Sequence, residues 1–432
     1  MNSIWKETVK LPSFDKLEGN VNTEVLIIGG GIAGIMCAYL LKQQGISTII
    51  LEADTVCNKV TSNTTAKITS QHGFIYQKLL KQVGEKKARL YYDANNEAIN
   101  TYRNLCKDID CDFEDKDSYV YSVGCSKTVS AELDALYKLG IEAEYVIDLP
   151  LPFKISGAVV FKNQAQFNPL KFLSAILGEL NVYEHTRVIK IDKNRAITDC
   201  GTVTAKKIIV TTHFPFINLH GSYFLKMYQH RSYVMAVKNA PQLNGMYVDE
   251  NDKGMSFRNY GEWLFVGGGG HRTGKDGGGY LEIEEFIKNN YPSAQIDYRW
   301  ATQDCMTLDR IPYIGKYSAL TDNLYVATGF NKWGMTTSLV AAEILRDMII
   351  GKSNRYVELF TPSRCIIKPQ LAVNVFESIS GLLYPSAKRC PHLGCVLKWN
   401  KQEHTWDCPC HGSRFTKDGI LLDNPATDNL NK

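Results

Sequence analysis

Apolar and polar positions are patterned most legibly near the start of the chain, in TEVLIIGGGIAGIMCAYLLKQQGISTIILEA (23–53). The apolar run Val25 to Ile28 predicts a strand, helically spaced apolar residues after the glycines predict a helix stopping at Gly45, and Thr48 to Leu51 predicts a second strand. The succession returns late in the chain: Leu324 to Ala327 predicts a strand, followed by a glycine turn and an amphipathic helix from about Thr336 to Gly351. Between them, TVTAKKIIVTTHFPF (202–216) holds a further strand, and MYQHRSYVMAV and GMSFRNYGEWLFVGG alternate in strand fashion. Tyr228, His230 and Ser232 then share one face, with Arg231 and Tyr233 on the other. Asn168 suits a helix cap, with Pro169 in the first turn. FVGGGGHRTGKDGGG (265–279) reads as a mobile loop over a cofactor or substrate, because it leads into more glycines instead of a helix.

Gly29, Gly31 and Gly34 fill a G-x-G-x-x-G frame between the first strand and helix. The first allows the turn, the second lets backbone approach a pyrophosphate, and the third lets helix and strand pack closely. Glu52 ends the second strand where a ribose-binding acid belongs. Strand, turn, helix, strand and acid together predict a dinucleotide site, open on this motif to FAD or NAD. No second fingerprint occurs in 90–150 or 225–300; Arg272 and Thr273 stand where the third glycine of a rival frame would fall.

The 432 residues, 44% of them hydrophobic, can bury a large core divided into two or three domains. A formal charge of +4, from 49 basic and 45 acidic residues without a basic block, does not suggest nucleic acid. The first twenty residues lack the apolar core of a signal peptide, and no apolar run approaches the roughly 18–20 residues of a membrane span, so a cytoplasmic location is expected.

Of twelve cysteines, eight are scattered, while CPHLGCVLKWNKQEHTWDCPCHGS (390–413) gathers four cysteines and three histidines. Cys390 with His392, and Cys408 with His411, form C-x-H and C-x-x-H pairs fifteen residues apart. Two thiolates and two imidazoles are the ligand set of a Rieske centre, and zinc can use the same four, so ligand count leaves both open.

Larger resemblances enter here. The glycine signature, the strand in 202–216 and MTLDRIPYIGKYSALTDNLYVATGFNKWGMTTSLVAAEILRDMIIGK make 21–352 resemble FAD-dependent oxidoreductases of the D-amino acid oxidase and glycine oxidase (DAO) group. CPHLGC, CPCHGS and the downstream DNPA closely resemble the loops of Rieske domains. The two imply an α/β fold: a Rossmann-type FAD-binding domain with a mixed-sheet substrate domain, plus a small C-terminal all-β Rieske-type iron–sulfur lobe. Expected boundaries are an N-terminal extension (1–20), the FAD-binding domain (21–89, 151–224 and 301–352), the substrate-binding domain (90–150 and 225–300), a linker (353–378) and a short Rieske domain (379–432).

The resemblance implies FAD contacts at Gly29, Gly31, Ile32, Ala33, Gly34, Glu52, Thr64, Thr65, Val188, Thr211, Gly329, Trp333, Gly334 and Met335. A helix N-terminus behind Gly329 to Gly334 would bring positive dipole to the pyrimidine edge of a flavin, where negative charge gathers on reduction. His72 and Lys67, in the loop expected beside the flavin ring, are candidate catalytic residues. Arg258 and His271 join them, with Arg231 and Arg310, as candidates for a substrate carboxylate.

In the tail the resemblance implies Cys390, His392, Cys408 and His411 as ligands of a [2Fe-2S] cluster, and a disulfide between Cys395 and Cys410, against which a reducing cytosol weighs. Phe415 replaces the tyrosine that hydrogen-bonds a cluster ligand in respiratory relatives, which should lower the potential. The segment from Cys390 on is short enough to need its metal and a neighbouring surface to fold. Flavin and cluster in one chain imply a dehydrogenase oxidising a small amine or amino acid at its C–N bond and passing electrons to an unidentified acceptor. The alternatives are a reductase feeding a partner protein, or a flavoprotein with a structural zinc tail.

Overall fold

The computed structural model describes residues 3–218, 220–365, 367–382 and 388–430. Among them the strands form sheets of eight, nine and four strands. The first runs Tyr313–Lys316, Leu324–Thr328, Gly201–Val210, Gly19–Ile28, Thr48–Leu51 and Val182–Tyr183, parallel from the second strand onward. Its inner strands read as near-continuous apolar runs because both faces are buried, one under Ile32–Lys42 and Gly334–Ile349 and the other under Leu17, Val188, Ala196, Phe214 and Tyr223. Thr48–Leu51 matches the predicted strand, whereas Gly19–Ile28 starts six residues before Val25, since its polar half pairs along Gly201–Ala205.

The helix Ile32–Lys42 buries nearly every residue from Ile32 to Leu41, packed between this sheet and the helix Gly334–Ile349. Each fully buried leucine or isoleucine there is worth ~1.5–3 kcal/mol. Gly334–Ile349 starts two residues before the expected Thr336. Asn168 caps Pro169–Leu177 as expected, its Oδ1 accepting from Leu170 N at 3.1 Å and Lys171 N at 3.2 Å.

The second sheet runs Gln295–Thr307, Met227–Lys238, Trp263–Arg272, Ser256–Tyr260, Met246–Asp249, Glu114–Ser122, Gly157–Gln166 and Lys67–Ile68. It draws Gly157–Gln166 from the stretch assigned to FAD binding, so the two domains interleave along the chain. The glycine run at 265–279 corrects the expected mobile loop: it is the second half of strand Trp263–Arg272, a turn, and the start of helix Gly279–Asn290. Its glycines answer to crowding. A Cβ on Gly267 would meet Ser256 Oγ at 2.6 Å, one on Gly268 Met255 Sδ at 2.5 Å, and one on Gly270 Asp252 O at 2.8 Å.

The expected linker holds the helix Val357–Phe360 and most of Pro369–Leu382. The tail is a four-stranded antiparallel meander, Lys398–Asn400, Thr405–Asp407, Arg414–Thr416 and Leu421–Asp423, around Cys390, Cys395, Cys408, Cys410 and Phe415. It is too small to bury its own ligand loops and lies against the two larger sheets.

Candidate functional site

A cavity of about 760 Å³ opens at the C-terminal ends of Gly19–Ile28 and Thr48–Leu51 and runs beneath the second sheet. The glycine turn contributes Gly29, Gly31, Ile32 and Ala33 to its wall. Gly34 does not line it and serves packing: a Cβ there would fall 2.0 Å from Gly29 O and 2.8 Å from Thr211 Oγ1. Glu52 lines it, with Oε2 accepting from Gly30 N at 2.8 Å and Oε1 from Asp54 N at 2.9 Å. Burial raises the Glu52 pKa, and those backbone N–H groups oppose the rise. Val188, Thr211, Thr64 and Thr65 also line it.

Gly329, Trp333, Gly334 and Met335 also line the cavity, ahead of the N-terminus of Gly334–Ile349. Their loop is bent by three residues in the left-handed region, Gly329 (φ 73°) before Phe330, then Asn331 (φ 51°) and Lys332 (φ 74°) between Phe330 and Trp333. Such a conformation in a lysine costs about 1–3 kcal/mol. Asn331 stabilises it, with Oδ1 accepting from Thr307 N at 2.8 Å and Nδ2 donating to Gly329 O at 2.7 Å.

Of the four candidate catalytic residues, Lys67 and His72 line the cavity. Lys67 donates to Thr65 Oγ1 at 3.1 Å, and burial, helped by the Arg258 charge, lowers its pKa to about 7. His72 has both ring nitrogens engaged: Nε2 gives its proton to Thr69 O at 2.8 Å, leaving Nδ1 to accept from Tyr91 Oη at 2.7 Å. Its ring stacks on Trp333 at 4.8 Å, and burial lowers its pKa to about 3, so it holds the Trp333 loop as a neutral ring.

Arg258 and His271 do not line the cavity, which corrects their assignment. Arg258 is fully buried behind the wall, with Nη1 donating to Thr65 O at 2.8 Å and Ala66 O at 3.0 Å. Trp5 Nε1 donates to Thr64 O at 2.8 Å and Trp300 Nε1 to Asn63 O at 3.0 Å, so three buried side chains fix the loop carrying Thr64 and Thr65. His271 lies beneath the tail lobe against Tyr233 Oη at 3.0 Å. Arg231 is ion-paired with Glu403 of the lobe.

Arg310 does line the cavity, paired with Asp252. The wall there also carries Asp304 and Lys332, which sequence reasoning did not single out. Burial raises the Asp304 pKa to about 6, against the lowering pull of Lys332 and Arg231. Lys332 Nζ donates to Asp252 O at 3.2 Å, and burial lowers its pKa. Nothing in the sequence marked either; the pairing that sets Asp304 opposite His230 is made only in the folded sheet.

The cavity has one further wall, formed by the tail lobe through Leu421 to Asn424, Ala426 and Thr427. Asn424 Nδ2 donates to Thr212 O at 2.6 Å and Phe214 O at 2.8 Å, and Lys59 Nζ to Leu422 O at 3.0 Å. At the dock, Glu403 accepts from Arg231 and lies 2.9 Å from Arg414 Nη2, while Arg414 also reaches Asp407 and Asp423, each at 3.0 Å. Burial alone would raise the Glu403 pKa, yet the two arginines hold it below the usual carboxylate range.

Within the lobe the two ligand loops repeat one backbone pattern: Cys390 N donates to Cys395 O and Cys408 N to Ser413 O, then Gly394 N to Cys390 O and Gly412 N to Cys408 O. They bring Cys390 Sγ against Cys408 Sγ, and Ser413 Oγ against Cys390. The His392 and His411 rings meet edge to face at 5.0 Å. Nδ1 of His392 and both nitrogens of His411 are buried without a hydrogen-bond partner. Two adjacent thiols beside two adjacent imidazoles with orphaned Nδ1 atoms fit a [2Fe-2S] cluster held by Cys390, His392, Cys408 and His411. Cys395, Cys408 and Cys410 sulfurs lie within 4.8 Å of one another, and Cys395 and Cys410 are free thiols here, close enough for a bridge.

Comparison with known proteins identifies both halves. The FAD dependent oxidoreductase family (DAO) matches residues 24–348, and the Rieske [2Fe-2S] domain matches 362–432. The chain belongs to the FAD dependent oxidoreductase family, carries a C-terminal Rieske domain, and binds FAD and a Rieske cluster; a zinc tail is set aside. Among individual proteins, it is 36% identical to YhfW of Bacillus subtilis, named as a Rieske 2Fe-2S iron-sulfur protein, over 98% of this chain and 96% of that one. It is 22% identical to the gamma-glutamylputrescine oxidoreductase of Escherichia coli, over 80% and 88% of the two chains. The crystal structure of glycine oxidase from Geobacillus kaustophilus superposes with a TM-score of 0.69 at 17% identity, covering 80% of this chain and 99% of that one.

Proposed function

We propose that this protein is a dehydrogenase of a small amine or amino acid, oxidising a C–N bond and delivering the electrons through its own Rieske lobe to an external acceptor. The observation that carries the reading is the shared wall: residues of the nucleotide turn and of the lobe, Leu421 to Thr427, line one cavity. The glycine oxidase and gamma-glutamylputrescine oxidoreductase likenesses support an amine-bearing substrate. When bound, FAD accepts two electrons as a hydride, and the cluster takes electrons singly.

The chain's own residues supply the rest. Glu52 offers its carboxylate to the ribose, and the helix ends at Gly31 and Trp333 turn positive dipole into the cavity. Gly267, Gly268 and Gly270 present backbone to the cavity from the strand above. An amine must be neutral to give up a hydride. The Asp304 carboxylate, at about 6, and the Lys67 amine, at about 7, are placed in the wall to take its proton near neutral pH. Arg310 is held by Asp252, which leaves Lys332 the freer cation for a substrate carboxylate.

A bridge between Cys395 and Cys410, bracing the ligand loops, is part of the proposal, as is a cytoplasmic location. Among the described residues no helix is long and apolar enough to cross a membrane. The test is an anaerobic screen of amines and amino acids for bleaching of the flavin, with NADH and NADPH in parallel. Bleaching by an amine or amino acid is the expected result. Bleaching by the nicotinamides alone would overturn the reading and favour a reductase.

A further inference from the structure

The cluster loops are held by side chains of the flavin half of the chain. Arg272 donates from Nε to Pro409 O at 3.2 Å and from Nη2 to Cys410 O at 3.4 Å. Gln229 Nε2 donates to His411 O at 2.9 Å, and Gln303 Nε2 to Gly412 O at 2.8 Å. Four successive carbonyls of the second ligand loop are therefore satisfied from outside the lobe. The His411 ring, 1% exposed, is met edge-on by Phe214 and Phe224 at 6.4 and 6.0 Å.

The first ligand loop has one such contact at a ligand ring. His392 Nε2 lies 3.0 Å from Oδ1 of Asn218, which follows the strand Gly201–Val210 in the flavin half. An amide oxygen only accepts, so the ring proton sits on Nε2 and the lone pair on Nδ1, the atom buried without a partner.

We infer that Asn218 is a positioning residue of the cluster: the flavin half of the chain uses its amide oxygen to fix the tautomer and orientation of His392 and, through that ring, the cluster potential. The inference rests on the cluster assignment. A partner that accepts the outer N–H makes an imidazole a stronger electron donor to iron, which favours the oxidised cluster. Losing such a partner typically costs 10–100-fold in metal affinity. Neither histidine then has a free N–H for an outside molecule, since His392 gives its proton to Asn218 and His411 is covered.

The experiment uses the full-length protein with both cofactors, and compares Asn218→Leu with Asn218→Asp by redox titration followed by electron paramagnetic resonance and flavin absorbance. Asn218→Leu, which removes the acceptor, is expected to raise the cluster midpoint potential and weaken cluster retention about 10–100-fold. Asn218→Asp, a stronger acceptor, is expected to lower it, with the flavin midpoint unchanged in both. A merely structural contact would not move the potential in opposite directions. Unchanged cluster potentials, or shifts of the same sign, would overturn the inference. Should Asn218→Leu fail to hold its cluster, Asn218→Asp decides alone: a lower potential supports the inference and an equal or higher one overturns it. A wild-type protein lacking iron and acid-labile sulfide would remove the cluster assignment itself, a failure distinct from any outcome in the variants.

Discussion

Lys67 sets an amine into the cavity wall with the Arg258 guanidinium behind it, and burial lowers its pKa to about 7 from an unfolded value near 10.5. Between those two values the unfolded chain binds the extra proton, so stability rises with pH across that window. Below about pH 7 both states are protonated and the full penalty of burying the charge applies, on the order of 5 kcal/mol. Lys67→Met in the protein stripped of FAD should therefore melt higher than wild type at pH 7, with the advantage fading as the pH approaches 10. Thermal melts at a series of pH values check this; an advantage constant with pH would rule out the charge as its cause. His72 acts on the acid side: burial lowers its pKa to about 3 from an unfolded value near 6.5, so the unfolded chain binds the extra proton in that window and stability falls as the pH drops below about 6.5. Its value lies in the stack on Trp333.

Among elements, the contact between the lobe strands and Met227–Lys238 concentrates five charges: Arg231 on that strand, and Glu403, Arg414, Asp407 and Asp423 in the lobe. All but the Asp423 side chain are less than one-eighth exposed or nearly so, and Asp423 is at 24%. Removing one partner of a buried pair typically costs ~3–5 kcal/mol, since the other charge is left without compensation. Glu403→Gln should loosen the lobe before the flavin half. Melting followed separately at the cluster and flavin absorption bands should show the cluster signal lost several degrees earlier than in wild type. Coincident loss of both signals at the wild-type temperature would show that the pair does not hold the dock.

For the whole molecule, the flavin half and the lobe share the walls of one cavity. Removing iron with a chelator, while FAD stays bound, should leave substrate bleaching of the flavin intact and abolish electron delivery to a one-electron acceptor such as ferricyanide at the rate of the intact protein. Stopped-flow absorbance measures both. Equal acceptor reduction with and without iron would place the electron exit at the flavin, and the lobe would then need another role.

Local chemistry wrote much of this into the sequence. The strand, glycine turn and helix around Gly29 to Gly34, the acid at Glu52, the late turn before Gly334 and the paired cysteines and histidines are each legible within a few neighbours, because backbone geometry and ligand spacing are short-range properties. The glycine run misled where distant residues ruled: it lies in the strand Trp263–Arg272, and a Cβ at Gly267, Gly268 or Gly270 would meet Ser256, Met255 or Asp252. Tertiary structure alone decided that Arg258 and Trp5 stand behind the wall as supports, that Asp304 and Lys332 face into it, and that Arg231 belongs to the lobe. It also brought Asn218 to His392 across 174 positions of chain. Sequence fixes which groups exist and how near neighbours arrange them; only the burial of two large sheets and a small lobe against one another selects which distant groups meet, and with what charge.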